Sequence, residues 1–115
     1  DVSRFMAFEL GHGPEAVLPR ARLDSAYSGI VATSADEDFG YGIGFMLQRR
    51  GDFPWLGHSG GVPGYQAVLY FDRDHQLGVI MLRSASGGRA SINRLGPDLL
   101  KMLIVEKIAV ERGRR

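Results

Sequence analysis

The sequence predicts an α+β domain in which an antiparallel meander of strands is flanked by helices. Residues 65–71 read Y-Q-A-V-L-Y-F, and at a period of two they place Tyr65, Ala67, Leu69 and Phe71 on one face and Gln66, Val68 and Tyr70 on the other, as in a strand. Short polar turns separate the neighbouring apolar runs, and such turns join antiparallel strands. A wide apolar face at helical spacing follows Pro97. No repeat or linker interrupts the 115 residues, so we expect a single domain over residues 1–115.

The first part of the chain predicts two helices and a loop. Apolar residues recur at helical spacing over residues 2–10, and Gly11 can end that helix. Residues 20–27 predict a second, short helix. Residues 28–40 are polar and contain glycine, which favours a loop.

The middle of the chain predicts four strands. Residues 41–48 form the first, and their glycines indicate close approach of another backbone. Residues 53–59 form the second, which residues 60–64 break. Residues 65–71 are the third. Residues 77–82 are nearly all apolar, which favours a strand inside a sheet that is covered on both faces.

The last part predicts a loop over residues 84–90 and then a long helix. Pro97 suits the first turn of that helix, because proline lacks the N–H that a first turn cannot pair. Apolar residues are so frequent over residues 99–108 that we expect the helix to pack against the sheet.

Composition excludes several classes of protein. Hydrophobic residues make up 44% of the chain, which argues against disorder. The net charge of +1 gives no broad footprint for nucleic acid or an anionic membrane. No apolar run approaches the roughly 18 residues that would span a membrane. There is no cysteine, and His12, His58 and His75 lack metal-ligand spacing. We therefore expect no metal and no cofactor. The chain begins at Asp1, which suggests a piece of something longer.

Residues 57–61 read G-H-S-G-G and fit the G-x-S-x-G pattern of a nucleophile elbow. An elbow serine needs a helix after it, but Ser59 is followed by glycines, a proline and then a strand. A triad also needs a later histidine, and only His75 follows, in a turn between adjacent strands. The sequence therefore argues against Ser59 as a nucleophile.

Several motifs in order resemble the class C beta-lactamase-like branch of the penicillin-recognising serine hydrolases. They are Y-G-I-G-F at 41–45, G-H-S-G-G-V-P-G-Y at 57–65, a strand ending in Phe71-Asp72, L-G-V-I-M-L at 77–82 and a C-terminal helix. The branch also holds D,D-peptidases, D-aminopeptidases and esterases. The resemblance covers nearly the whole chain and implies an incomplete beta-lactamase/transpeptidase-like fold. Its members are often periplasmic or secreted, and the sequence leaves the compartment open.

The resemblance implies a role for each residue of one strand. His58-Ser59-Gly60 is similar to the family's K-T-G triplet, in which His often replaces Lys and Ser replaces Thr. The Gly61 amide would serve the oxyanion hole, and Gly60 and Gly61 would let a substrate lie against the strand. Ser59 would bind a substrate carboxylate or carbonyl, and His58 would supply a donor and, when protonated, charge. Tyr65 could line the pocket.

Two features of the family are missing. No serine in the sequence has a lysine three places on, so the S-x-x-K nucleophile motif is absent. No tyrosine has an asparagine two places on, so Y-x-N is absent too. Both motifs lie upstream of this region in family members. The chain is therefore similar to the C-terminal part of such an enzyme, and we expect it to be inactive alone.

The sequence leaves two functional classes open. In the first, the chain is part of a serine hydrolase acting on a small ester, a beta-lactam or a peptide. A histidine carries less charge at neutral pH than a lysine, which favours esters or peptides over carboxylate-bearing beta-lactams. In the second, it is a non-catalytic module that binds peptides or cell-wall pieces. For a fragment we expect self-association or strand exchange, because the strands and helices missing from the family's fold would leave a sheet edge and an apolar face exposed.

Overall fold

The computed structural model describes residues 1–28, 31–32, 39–50, 52–85 and 88–114. The helices are α1 (Val2–Ala7), continued by a π-helical turn (Phe8–His12), α2 (Arg20–Ser28) and α3 (Ile92–Gly113). The strands are β1 (Val31–Ala32), β2 (Phe39–Tyr41), β3 (Met46–Arg50), β4 (Phe53–Val62), β5 (Tyr65–Asp72) and β6 (Leu77–Arg83).

The strands form one antiparallel sheet in the order β1-β2-β3-β4-β5-β6, so each strand pairs with its neighbour in sequence. This is the meander that the short turns predict, and with its flanking helices it confirms the α+β class. Among the described residues, no helix is both long and apolar enough to span a membrane.

Residues 41–48 do not form one strand, and this prediction is wrong. The chain instead makes a hairpin between β2 and β3, in which Tyr41 pairs with Met46. The Gly42 N–H donates to the Phe45 carbonyl at 2.9 Å, and Gly44 has φ +84°. Glycine adopts that conformation without strain, so the glycines of this segment make a turn here.

Three other boundaries differ from those predicted. Strand β4 runs on through its glycines to Val62, so only Pro63-Gly64 forms the turn before β5. The region 28–40 includes β1 and the start of β2, while residues 29–30 and 33–38 lie outside the described residues. Helix α3 begins at Ile92, because the extended Ser91 accepts the first backbone bonds, and Pro97 lies inside the helix.

The sheet is covered on both faces. On one face, Trp55, Val68 and Tyr70 pack against Leu100 and Ile104 of α3. On the other face, Phe71 is fully buried and packs with Met6 and Leu10 from the N-terminal helical segment. Burial of a side chain such as Phe71 contributes about 2–3 kcal/mol. Strand β6 is covered on both faces near Gly78 and Val79, as predicted, but it ends the described sheet instead of lying inside it.

A partly buried tyrosine and a buried glutamate join the two N-terminal helical elements. The Tyr27 hydroxyl of α2 donates to the carboxylate of Glu9, which is 5% exposed. Burial, and then the hydrogen bond to Glu9 and its charge, raise the pKa of Tyr27 well above its usual range. Arg73 lies over the Tyr27 ring, 4.7 Å from its centre, and bonds Asp24 at 2.5 Å. These contacts fix α2 on the sheet.

Candidate functional site: the open edge of strand β4

Strand β3 covers only part of strand β4. The ladder between them begins with Arg50 opposite Phe53 and ends with Met46 opposite Gly57. Strand β4 continues for five more residues, to Val62, and β5 pairs with it along that whole length. From His58 to Val62, the β3 side of β4 therefore has no strand neighbour among the described residues. We call this stretch the open edge.

The register tells which backbone groups face the open edge. Val62 and Tyr65 flank the two-residue turn Pro63-Gly64, and residues that flank such a turn exchange backbone hydrogen bonds. The backbone N–H and C=O groups of Val62 thus point at β5. Because successive residues of a strand point their N–H and C=O groups in opposite directions, those of Gly60 also point at β5. Those of Ser59 and Gly61 point out at the open edge.

The side chains of His58 and Ser59 emerge from opposite faces of the sheet. Ser59 pairs with Val68, which is buried under α3, whereas His58 pairs with Leu69 on the other face. Directly paired residues of antiparallel strands share a face. A single ligand can contact both side chains only if it lies along the strand edge, where the two faces meet.

The His58 ring is held at both of its nitrogens. Its Nδ1 lies 2.7 Å from the Ser59 carbonyl oxygen, and its Nε2 lies 2.9 Å from the Tyr41 hydroxyl. The Tyr41 and His58 rings meet edge to face, with centres 6.0 Å apart. Sequence reasoning gave Tyr41 no role at the site and placed it at the start of a longer strand. The separation of 17 residues along the chain gives no local signal of this contact.

An apolar groove lies beside the open edge. Its volume is about 530 Å³, and its floor and walls come from the ends of β4, β5 and β6. The lining residues include Gly60, Gly61, Val62, Tyr65, Ala67 and Leu82. The Tyr65 side chain is 62% exposed and free to contact a ligand.

Arg83 is the charged side chain of this groove, and its guanidinium group is already engaged. It donates to the Ala90 carbonyl at 2.6 Å, to the Ala85 carbonyl at 3.3 Å and to the Gln66 side-chain oxygen. With its donors directed at these protein oxygens, the Arg83 guanidinium has little left to offer a ligand in the groove.

The structure brings all five residues predicted for the site onto one hairpin. His58, Ser59, Gly60 and Gly61 lie on β4, and Tyr65 begins β5. The strand continues past Ser59, so no helix follows it and the serine is not at a nucleophile elbow. His75 lies beyond the opposite end of β5, where its Nδ1 bonds Asp72 at 3.0 Å.

Within the described ranges, no group of three or more His, Cys, Asp or Glu side chains is arranged to hold a metal ion. The donors and acceptors that this site offers are therefore the backbone of the open edge, the Ser59 hydroxyl and the Tyr41–His58 pair.

The family model described as Beta-lactamase matches residues 1–97 of the chain. The match covers most of the 115 residues and includes the whole β4–β5 hairpin. The chain therefore belongs to the beta-lactamase family and has a serine-hydrolase-like fold. A search of curated proteins and a search of solved structures gave no match.

Proposed function

We propose that this chain forms one wall of the active-site cleft of a serine hydrolase, in the branch that holds class C beta-lactamases, D,D-peptidases and esterases. The observation that carries the proposal is the open edge of β4. There an extended backbone with small side chains turns the N–H groups of Ser59 and Gly61 outward, within a chain of the beta-lactamase family.

Hydrolysis of an ester or amide develops negative charge on the carbonyl oxygen, and aimed N–H donors stabilise that charge. The Gly61 N–H is such a donor, and the amide of the nucleophilic serine would be the second. Gly60 keeps the approach clear, since a Cβ added there would meet nothing within 4 Å. The Ser59 hydroxyl would bind a substrate carboxylate or carbonyl, and Tyr65 would contact the substrate in the apolar groove.

The nucleophile in this proposal comes from outside the 115 residues, because no serine among them belongs to an S-x-x-K motif. The chain alone therefore forms no acyl-enzyme. The substrate is a small ester or a peptide in preference to a carboxylate-bearing beta-lactam, because a histidine stands at 58 where a lysine would be fully charged.

The test is a pair of substitutions at Gly61 in the native protein that contains this sequence. Gly61→Pro removes the outward N–H, and we expect it to lower kcat by about 10²–10³-fold. Gly61→Ala keeps the N–H and is the control. Its added Cβ would lie 3.5 Å from the Tyr65 carbonyl oxygen, an ordinary contact, so kcat should change little. Equal activity in the two variants would refute the role of the Gly61 amide.

A second function is favoured by the same open edge. The outward N–H and C=O groups of Ser59 and Gly61 could pair with an extended peptide, as sheet edges do in peptide-binding domains. The chain would then be a non-catalytic binding module for peptides or cell-wall pieces. A native protein that binds such a peptide but reacts with no serine-directed probe would favour this function.

We also propose that the isolated chain self-associates. The outer edge of β6 has no strand neighbour in the described part of the chain, and Leu82 on that strand is 69% exposed. An unpaired, apolar edge strand invites pairing with another copy. Light scattering of the isolated chain should give a mass above that of the monomer that rises with concentration. A monomeric mass at high concentration would contradict the proposal.

A further inference from the structure

The strongest unexplained contact near the site is that between Tyr41 and His58, which come from different hairpins. Tyr41 is the last residue of β2, where the chain enters the turn that leads to β3, and it is 40% exposed. His58 is the first residue of β4 beyond the reach of β3. The two side chains meet where the open edge begins, although β3 separates their strands.

The hydrogen bonds of the ring determine where its proton lies. A carbonyl oxygen only accepts, so Nδ1, at 2.7 Å from the Ser59 oxygen, carries the proton. In a neutral imidazole the other nitrogen is then an acceptor. The Tyr41 hydroxyl therefore donates to Nε2 across 2.9 Å. The Ser59 carbonyl selects the tautomer, and the Tyr41 hydroxyl holds the ring against that carbonyl.

We propose that Tyr41 is a positioning residue that keeps neutral His58 in its Nδ1–H tautomer, with the ring turned toward the open edge. The proposal rests on the proposed function in that it makes this edge the ligand site. Neutral His58 then has no N–H left for a ligand, because its one proton goes to its own strand. What the pair offers to a ligand is the hydroxyl oxygen of Tyr41, which still accepts. This part of the site thus suits an N–H or ammonium group of a substrate better than a carboxylate.

The tautomer of His58 can be measured without any assay of activity, in the native protein that contains this sequence. In the ¹⁵N-labelled protein, long-range ¹H–¹⁵N correlation spectra at a pH where His58 is neutral distinguish the protonated ring nitrogen from the bare one. The signals of His58 are identified by their loss in His58→Gln. We expect Nδ1 to be protonated and Nε2 bare.

Tyr41→Phe keeps the ring contact and removes the hydroxyl. Without that bond the His58 ring is released from the Ser59 carbonyl, and we expect the ratio of Nδ1–H to Nε2–H to fall by about 3–10-fold, the value of one hydrogen bond. Tyr65→Phe is the control, since it removes an exposed hydroxyl from the neighbouring strand and should leave the His58 signals unchanged.

A protonated Nε2 in the unsubstituted protein would overturn the proposal, as would an unchanged tautomer ratio in Tyr41→Phe. These results are separate from the test of hydrolase function. The expected tautomers together with equal activity of the two Gly61 variants would keep the positioning role and refute the oxyanion role. A protonated Nε2 together with a lower kcat in Gly61→Pro than in Gly61→Ala would refute the positioning role and keep the oxyanion role.

Discussion

The orientation of the Gly61 amide can be tested by comparing proline at two adjacent glycines of β4. Gly60 points its N–H at β5, where it pairs opposite Ala67, whereas Gly61 points its N–H at the open edge. Proline removes the N–H at either position. Gly60→Pro should therefore break a bond of the β4–β5 ladder and push its ring toward β5, while Gly61→Pro breaks no bond of the sheet.

The difference in stability can be estimated. Losing one ladder hydrogen bond and leaving its partner unpaired costs about 1–3 kcal/mol. For 115 residues the unfolding entropy is about 0.24 kcal/mol/K, so a loss of 2 kcal/mol lowers Tm by about 8 °C. We expect Gly60→Pro to lower Tm by that amount more than Gly61→Pro does.

The assay is thermal unfolding followed by circular dichroism, with Gly60→Ala and Gly61→Ala as controls. An added Cβ meets nothing within 4 Å at Gly60 and only an ordinary contact at Gly61, so the alanine variants remove steric effects from the comparison. Equal losses of Tm in the two proline variants would refute the assigned orientation of these N–H groups. A larger loss of Tm in Gly61→Pro would indicate that the Gly61 N–H points at β5 and the Gly60 N–H at the open edge.

Two further predictions concern the packing around the sheet. Because the pKa of Tyr27 is raised by burial and by Glu9, the folded chain keeps the Tyr27 proton above pH 10.0, where the unfolded chain loses it. Stability from this pair is therefore full below pH 10.0 and falls as the pH rises further; urea unfolding at several pH values should show this fall, and show it weakened in Tyr27→Phe. An equal fall in both would contradict the prediction. In α3, a Cβ at Gly96 would lie 2.8 Å from the buried Tyr70 ring. We expect Gly96→Ala to lose about 1–2 kcal/mol despite the better helix propensity of alanine, whereas Gly113→Ala, which meets no neighbour within 4 Å, should be neutral or stabilising. Thermal unfolding checks both, and a more stable Gly96→Ala variant would contradict the packing.

Local sequence patterns predicted β5, β6 and α2 to within about one residue, because each is a short run bounded by turn or loop residues. They failed at residues 41–48, where an aromatic and apolar run with glycines is typical both of a strand and of the turn of a hairpin. Helix α3 was placed five residues too late, because Pro97 was assigned to its first turn although Ser91 begins the backbone bonding.

For the site, the triplet 58–60 and Gly61 could be named from the sequence because they form one contiguous stretch that resembles a motif of the family. The open edge itself could not, since it depends on where β3 ends relative to β4. Tyr41 was missed for the same reason. Its contact with His58 depends on the register of three strands, in which Tyr41 lies opposite Met46 and Met46 lies opposite Gly57, and no local pattern encodes that register.

We propose that this chain is the wall of a serine hydrolase whose nucleophile lies outside residues 1–115. The most direct measurement is to treat the native protein with a fluorophosphonate and to locate the modified residue by mass spectrometry. We predict one modified serine, followed by a lysine three positions on and outside this sequence, and no modification of the 115-residue chain alone. Modification of Ser59, or no modification of the native protein, would contradict the claim.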